Sequence, residues 1–325
     1  MERAVVHRRS VELQGGLSDA EIRHQYRSEW CRVRRGAYAD RCVYGELDQV
    51  GKHRTLIDAA VPSMTEEAVV SHQSAAVLYG VPLWCTPLDR VCVTRNRRHG
   101  GRIKSDVKIH CAPMESVVEI DGLLVTAPAR TVVDLARTLP FESAVVAGDA
   151  LVREFGPSEA DLAAELERAK FRRRVSAARR VVAFLNGRSE SVGESRSRVM
   201  CARLGLPVPS PQGNVFDAEA NFLGRVDFYF EGTGVLCEFD GRLKYGRLLR
   251  PGEDPGEAVF AEKIREDAIR ACGFQLVRWT WPDLTTERPA TRIRAALTRA
   301  RTTYCDGSIE QSRLPIPRPL PTRPL

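Results

Sequence analysis

The chain lacks several signatures that would assign it quickly. No CxxC pair occurs among its nine cysteines. Scattered single cysteines do not predict a structural zinc site, and fit small core residues in a reducing cytoplasm. No GxxxxGK[ST] loop is present, and the glycines of "GTGVLCEFDG" lead into a strand rather than a helix. This argues against a nucleotide-binding enzyme. Histidine is scarce, at six residues. None of His53, His72, His99 and His110 pairs with a Ser or Cys motif, so nucleophilic catalysis is not indicated; His72 is expected on a helix surface. No apolar run approaches a membrane span. The opening "MERAVVHRRSVELQGG" is basic without an apolar h-region, which predicts no signal peptide and a cytoplasmic protein.

What is present is charge and length. The 325 residues suggest more than one domain. The formal charge is +7 and the pI about 9.0. A basic surface attracts polyanions, and DNA is the expected partner; general arginine richness is the competing explanation.

Along the chain, "LSDAEIRHQYRSEWCRVRRGAYAD" combines a capping box at Ser18 and Glu21 with apolar residues Ile22, Tyr26 and Trp30 at helical spacing. A basic hairpin turning at Gly36 follows. The combination predicts the end of a winged helix over residues 1–50, with Arg32, Arg34 and Arg35 against phosphate; an exposed charged hairpin is the alternative. Residues 66–81 read as one alanine-rich helix. Strands are expected in "DRVCVTRN", "SDVKIHCA" and "GLLVTAP", then a helix from Pro128 that Thr126 or a neighbour would cap. Residues 51–150 thus form a small mixed α/β module.

A basic helical linker, 151–187, carries Arg172, Arg173 and Arg174 as a solvated face or a DNA-backbone face. The segment 188–304 runs helix, strand, strand, helix, strand, helix, an α/β (α+β overall) pattern. The proline-rich 305–325 is expected to be an extended, disordered tail.

The informative stretch is "RVDFYFEGTGVLCEFDGRLKYG", residues 225–246. Side chains alternate along a strand, so Glu238 and Asp240 share a face about 6.6 Å apart, with Leu236, while Cys237 and Phe239 point to the core. Asp227 reaches that face if the register allows. Converging carboxylates would suit Mg²⁺. Salt bridges to Arg225, Arg242 or Lys244 would equally satisfy them.

"RVDF", "CEFDG" and "EKIREDAIRACGFQLVRWTW" resemble the PD-(D/E)XK nuclease superfamily, in its very-short-patch-repair-like branch, over about residues 188–300. The resemblance implies a restriction-endonuclease-like mixed sheet flanked by helices. It also implies Mg²⁺ or Mn²⁺ on Glu194, Asp227 and Glu238, assisted by Asp240. The superfamily commonly has lysine two residues after the strand acid, where this chain has Asp240. Lys244 or Lys263 would supply the missing cation. The first half is similar to AbiEi-type antitoxin N-terminal domains, through "SHQSAAVLYGVP" and "VTAPARTVVDLAR". That likeness implies DNA binding and a cognate toxin partner. Two functions follow: a metal-dependent DNA endonuclease, or a non-catalytic regulator whose nuclease fold only binds DNA. Neither involves a membrane.

Overall fold

The computed structural model describes residues 6–7, 29–64, 68–241, 255–302, 305–318 and 320–324. The chain divides into two compact units. The first comprises residues 1–151, 155–184 and 318–325; the second comprises 152–154 and 185–317. Both are built of helices and mixed sheets, so the fold class is α/β.

In the first unit, β1 (Val6–His7), β2 (Trp30–Arg34) and β3 (Ala37–Asp40) make a small antiparallel sheet ordered β1-β3-β2. The hairpin turns at Gly36, whose φ of 79° is open to glycine. Trp30 starts a strand instead of ending a helix. The helix expected at Ser18, Glu21, Ile22 and Tyr26 lies outside the described residues. Helices α1 (Arg41–Glu46) and α2 (Gln49–Ala60) follow, each capped by an aspartate that accepts from its first turn, Asp40 from Val43 N and Asp48 from Gly51 N.

The seven-stranded sheet contains β4 (Val69–Val70), β5 (Val91–Arg95), β6 (Arg102–Ile103), β7 (Val107–Cys111), β8 (Ser116–Ile120), β9 (Leu123–Thr126) and β15 (Arg323–Pro324). Its order is β15-β8-β9-β4-β5-β7-β6. The helix expected over 66–81 is shorter than that. Val69 and Val70, β-branched and buried, join the sheet, and α3 (His72–Leu78) starts only afterwards. His72 is accordingly buried, not on a helix surface. It has φ of 54° and stacks on His110, with ring centroids 3.8 Å apart. The sheet is followed by α4 (Pro128–Thr138), α5 (Phe141–Phe155), α6 (Glu159–Arg168) and α7 (Val175–Val182). Pro128 opens α4 as expected, and Thr126's neighbour Ala127 takes the cap position without a side-chain bond, while Thr126 bonds Thr131. The proline-rich end does not stay a free chain throughout, since Arg323 and Pro324 pair with Val117 and Ser116.

The second unit places α8 (Val192–Arg203) before β10 (Ser210–Phe216), β11 (Phe222–Phe230) and β12 (Val235–Asp240). Then come α9 (Pro255–Ala271), β13 (Gln275–Thr280), α10 (Arg288–Ala300) and β14 (Ser308–Gln311). The sheet order is β13-β12-β11-β10-β14. Only β12 and β13 run parallel. Phe228, Cys237, Phe239 and Trp279 form one core with Met200 of α8 and Ile293 of α10. Leu236 and Tyr229 form the other with Ile269 of α9. Helices therefore cover both faces. Gly193 permits the approach of α8, because a Cβ there would stand 2.0 Å from the Phe239 ring.

Candidate active site

The site begins with strand alternation. Leu236 is buried against α9 while Cys237 and Phe239 face α8, which turns Glu238 toward the α9 side. The antiparallel register pairs Phe228 with Cys237, and one step along the same ladder sets Asp227 opposite Glu238. Asp227 Oδ2 accepts from the backbone N–H of Phe239 at 2.8 Å, which ties the two strands together beside the acids.

Glu194 sits in the first turn of α8, a position that favours a carboxylate. It is only 6% exposed. Oε1 accepts from Ser191 Oγ at 2.8 Å, and Oε2 accepts from Glu190 N at 2.9 Å and Gln212 Nε2 at 2.8 Å. Burial raises its pKa against the opposing pull of those hydrogen bonds. Gln212 breaks the ladder: Pro211 pairs with Phe228 and Gly213 with Val226, while Gln212 between them has φ of 60°. That position lies across from Asp227. Gln212 Oε1 is buried without a hydrogen-bond partner.

Glu238 is held by arginines. Oε1 accepts from Arg265 Nη2 at 2.8 Å and Oε2 from Arg278 Nε at 2.7 Å. Both arginines also bind Glu262, and Arg278 reaches Glu266 at 2.9 Å. Burial works against the Arg265 charge, but Glu262 and Glu238 outweigh it and raise its pKa. The same balance, with Glu238 foremost among the acids, raises that of Arg278. The salt-bridge alternative thus has the right kind of contact for Glu238 but other partners. Arg225 instead forms two 3.0 Å bonds with Glu190. Arg242 and Lys244 lie outside the described residues.

Asp240 ends β12, half-buried and in register with Thr280. Lys263 is exposed on α9. Among the described residues, no group of three or more His, Cys, Asp or Glu side chains converges closely enough to hold a metal. The helix and strand positions of Glu194, Asp227 and Glu238 were legible in the sequence. Gln212, Arg265 and Arg278 were not singled out. Arg265 had one available signal, its i,i+3 spacing from Glu262 on a helix.

The basic residues divide sharply. Arg32 and Arg35 are exposed on the hairpin. Arg34 turns inward to Asp106 at 2.8 Å and to the carbonyls of Ala59 and Ala60, at the end of α2. Arg172, Arg173 and Arg174 lie in the turn between α6 and α7, not on a helix. Arg173 is exposed. Arg174 donates to the carbonyls of Thr138 and Leu139 at the end of α4. Arg172 donates to Cys111 O at 3.0 Å.

No family model matches the chain. It is similar to two uncharacterized proteins of Mycobacterium tuberculosis, MT2308 of strain CDC 1551 and Rv2248 of strain H37Rv. Each is 29% identical over 184 residues, 56% of this chain. The chain spans 65% of the length of these curated relatives. Among solved structures it is similar to the RV2827C protein of M. tuberculosis, at 17% identity and a TM-score of 0.37. That likeness covers 60% of this chain and 75% of the other.

Proposed function

We propose that the second unit is a metal-dependent DNA endonuclease domain hydrolysing phosphodiester bonds. One observation carries this reading. An acid on the helix preceding the sheet, Glu194, is followed by acids on two adjacent antiparallel strands, Asp227 and Glu238, each next to the paired Phe228 and Cys237. This is the placement that the nuclease resemblance implies.

The donor set suits a hard cation in part. Glu194 and Asp227 offer carboxylate oxygens, and Gln212 Oε1 is a buried oxygen with no hydrogen-bond partner. Glu238 fits less directly, because both of its oxygens are engaged by guanidiniums. Mg²⁺ or Mn²⁺, when bound, would supply an activated water and charge stabilisation at phosphorus. The residues' own contributions are separate. Gln212 orients Glu194 by donating to Oε2. Asp227 is fixed by Phe239 N. Arg265 and Arg278 hold Glu238 and place positive charge beside the strand acids, where Asp240 replaces the usual lysine. Exposed Arg32, Arg35 and Arg173 would meet the DNA backbone.

The arginine lock on Glu238 also favours a second reading, a regulator of antitoxin type that binds DNA without cutting it, together with a cognate toxin. Plasmid nicking with Mg²⁺ or Mn²⁺ separates the two. The endonuclease reading expects nicking by the wild type and its loss in Asp227→Ala and Glu238→Ala that remain folded. Nicking undiminished in both variants would discard this site. Salt-dependent duplex binding without nicking in the wild type would leave the regulator.

A further inference from the structure

A different cluster, in the first unit, has the opposite chemistry. A cavity of about 200 Å³ is lined by Arg130, Arg137, Arg168 and Arg172, with Asp134 and Glu115. Helix α4 supplies three of these residues. Arg130, Asp134 and Arg137 recur at spacings of four and three, so they share one helical face. Arg168 comes from the last turn of α6, and Arg172 from the turn after it.

The positive charge there is only partly offset. Asp134 accepts from Arg130 Nε at 2.8 Å and from Arg137 Nη1 at a longer 3.4 Å. Arg168 is committed to Glu115 and Glu165. Arg137 otherwise donates to Arg173 O at 3.1 Å, and Arg172 to Cys111 O at 3.0 Å. Carbonyl oxygens carry no full negative charge. Burial lowers the pKa of Arg172, and the nearby Arg130 charge adds to that effect. Arg137 is lowered by burial too, with Arg172 and Arg130 contributing against Asp134. Arg130 also reaches Glu165 at 3.6 Å, so Arg137, with its long bond to Asp134, and Arg172, bonded to a carbonyl, are the guanidiniums least matched by carboxylate in the cavity.

We propose that this cavity binds a phosphate-class oxyanion, held by Arg137 and Arg172 with support from Arg130. Guanidinium forks match the oxygens of such an anion, and the bonds are charge-assisted. The size favours a small group. Drug-sized sites span roughly 300–1,000 Å³, more than this cavity offers. The group is a free phosphate-bearing molecule or a single phosphate of a nucleic-acid strand. The proposal rests on the first unit alone and does not depend on the nuclease reading.

The test uses the full chain. Inorganic phosphate is titrated by calorimetry and thermal unfolding, against chloride at equal ionic strength. Saturable binding is expected, with a Tm that rises with phosphate concentration. Arg137→Gln and Arg172→Gln should each bind at least about tenfold more weakly, a loss in line with removing a charge-assisted pair. Arg102→Gln, on exposed β6, should bind like wild type. Arg172→Gln decides the matter if Arg137→Gln fails to fold, since Arg172 makes a single bond to a carbonyl at its Nη1. Absence of saturable binding, or wild-type affinity in folded Arg172→Gln, would overturn the proposal. A labelled duplex then identifies the source. Competition with phosphate, lost in Arg172→Gln, supports the site with a backbone phosphate as its ligand. Phosphate binding indifferent to duplex supports it with a small molecule.

Discussion

Asp134 in the first unit and Glu238 in the second each accept from two guanidiniums, but those guanidiniums arrive by different routes. Arg130 and Arg137 lie on the same helix as Asp134. Arg265 and Arg278 come from another helix and a neighbouring strand, 27 and 40 residues along the chain from Glu238. The surrounding balance also differs. Around Asp134, Arg168 and Arg172 add two further cations, partly matched by Glu115 and Glu165. Around Glu238, Glu262 and Glu266 are matched by Arg265, Arg278 and also Arg270, which pairs with Glu266. The same pair chemistry thus yields a cavity with guanidiniums in excess in one unit and a charge-matched network in the other. Local pairing fixes the first and long-range topology the second.

Truncating the two acids should expose that contrast, and the larger effect belongs to Asp134. Its side chain is 2% exposed, and its loss takes the counter-charge from Arg137 and leaves Arg130 with Glu165 at a longer 3.6 Å. Breaking a buried pair in this way costs about 3–5 kcal/mol. Asp134→Ala should lose that much in urea unfolding at pH 7. Glu238→Ala should cost less, about 1–2 kcal/mol, because the lost bonds are charge-assisted but partly solvated. Arg265 keeps Glu262, and Arg278 keeps Glu262 and Glu266. Equal losses in the two variants would remove the distinction between a confined pair and a redundant network.

Much of the local half of this comparison was visible in the sequence. The strand alternation of Glu238, Cys237, Phe239 and Leu236 follows from period two alone, and the turn at Gly36 from glycine's freedom at positive φ. The helices ending at Gly205 and Gly273 were also marked by those glycines. What failed was nonlocal. Val69 and Val70 looked like the start of a helix because only β5 and β9, distant in sequence, make them a strand. Arg34, expected against phosphate, bonds Asp106 and the carbonyl end of α2, and Arg174, though exposed, also donates to the carbonyl end of α4. The Glu238 partners and the placement of Gln212 depend on strand order and on a break in the ladder, neither of which composition or spacing encodes.

His72 belongs with these, and it sharpens the comparison further. In the first unit burial near the arginines disfavours the protonated imidazole. His72 has its pKa lowered to about 4 by burial, and His110 to about 3 by burial and by the neighbouring His72. His110 Nε2 is buried without a hydrogen-bond partner. Each ring is therefore neutral in the folded chain at a pH where the unfolded chain binds a proton. Below the ordinary histidine pKa of 6.5 the unfolded state takes up more protons, so stability falls as pH falls from there toward 4. His110→Phe keeps an aromatic ring for the stack and removes one of the two titrations. Its stability should decline less than that of wild type on acidification. The differential is about 1 kcal/mol between pH 7 and pH 5.5, since one pKa unit corresponds to 1.36 kcal/mol. Urea midpoints measured at the two pH values check this. Parallel losses in wild type and variant would show that the stacked ring of His110 titrates normally and that the first unit's interior admits the proton.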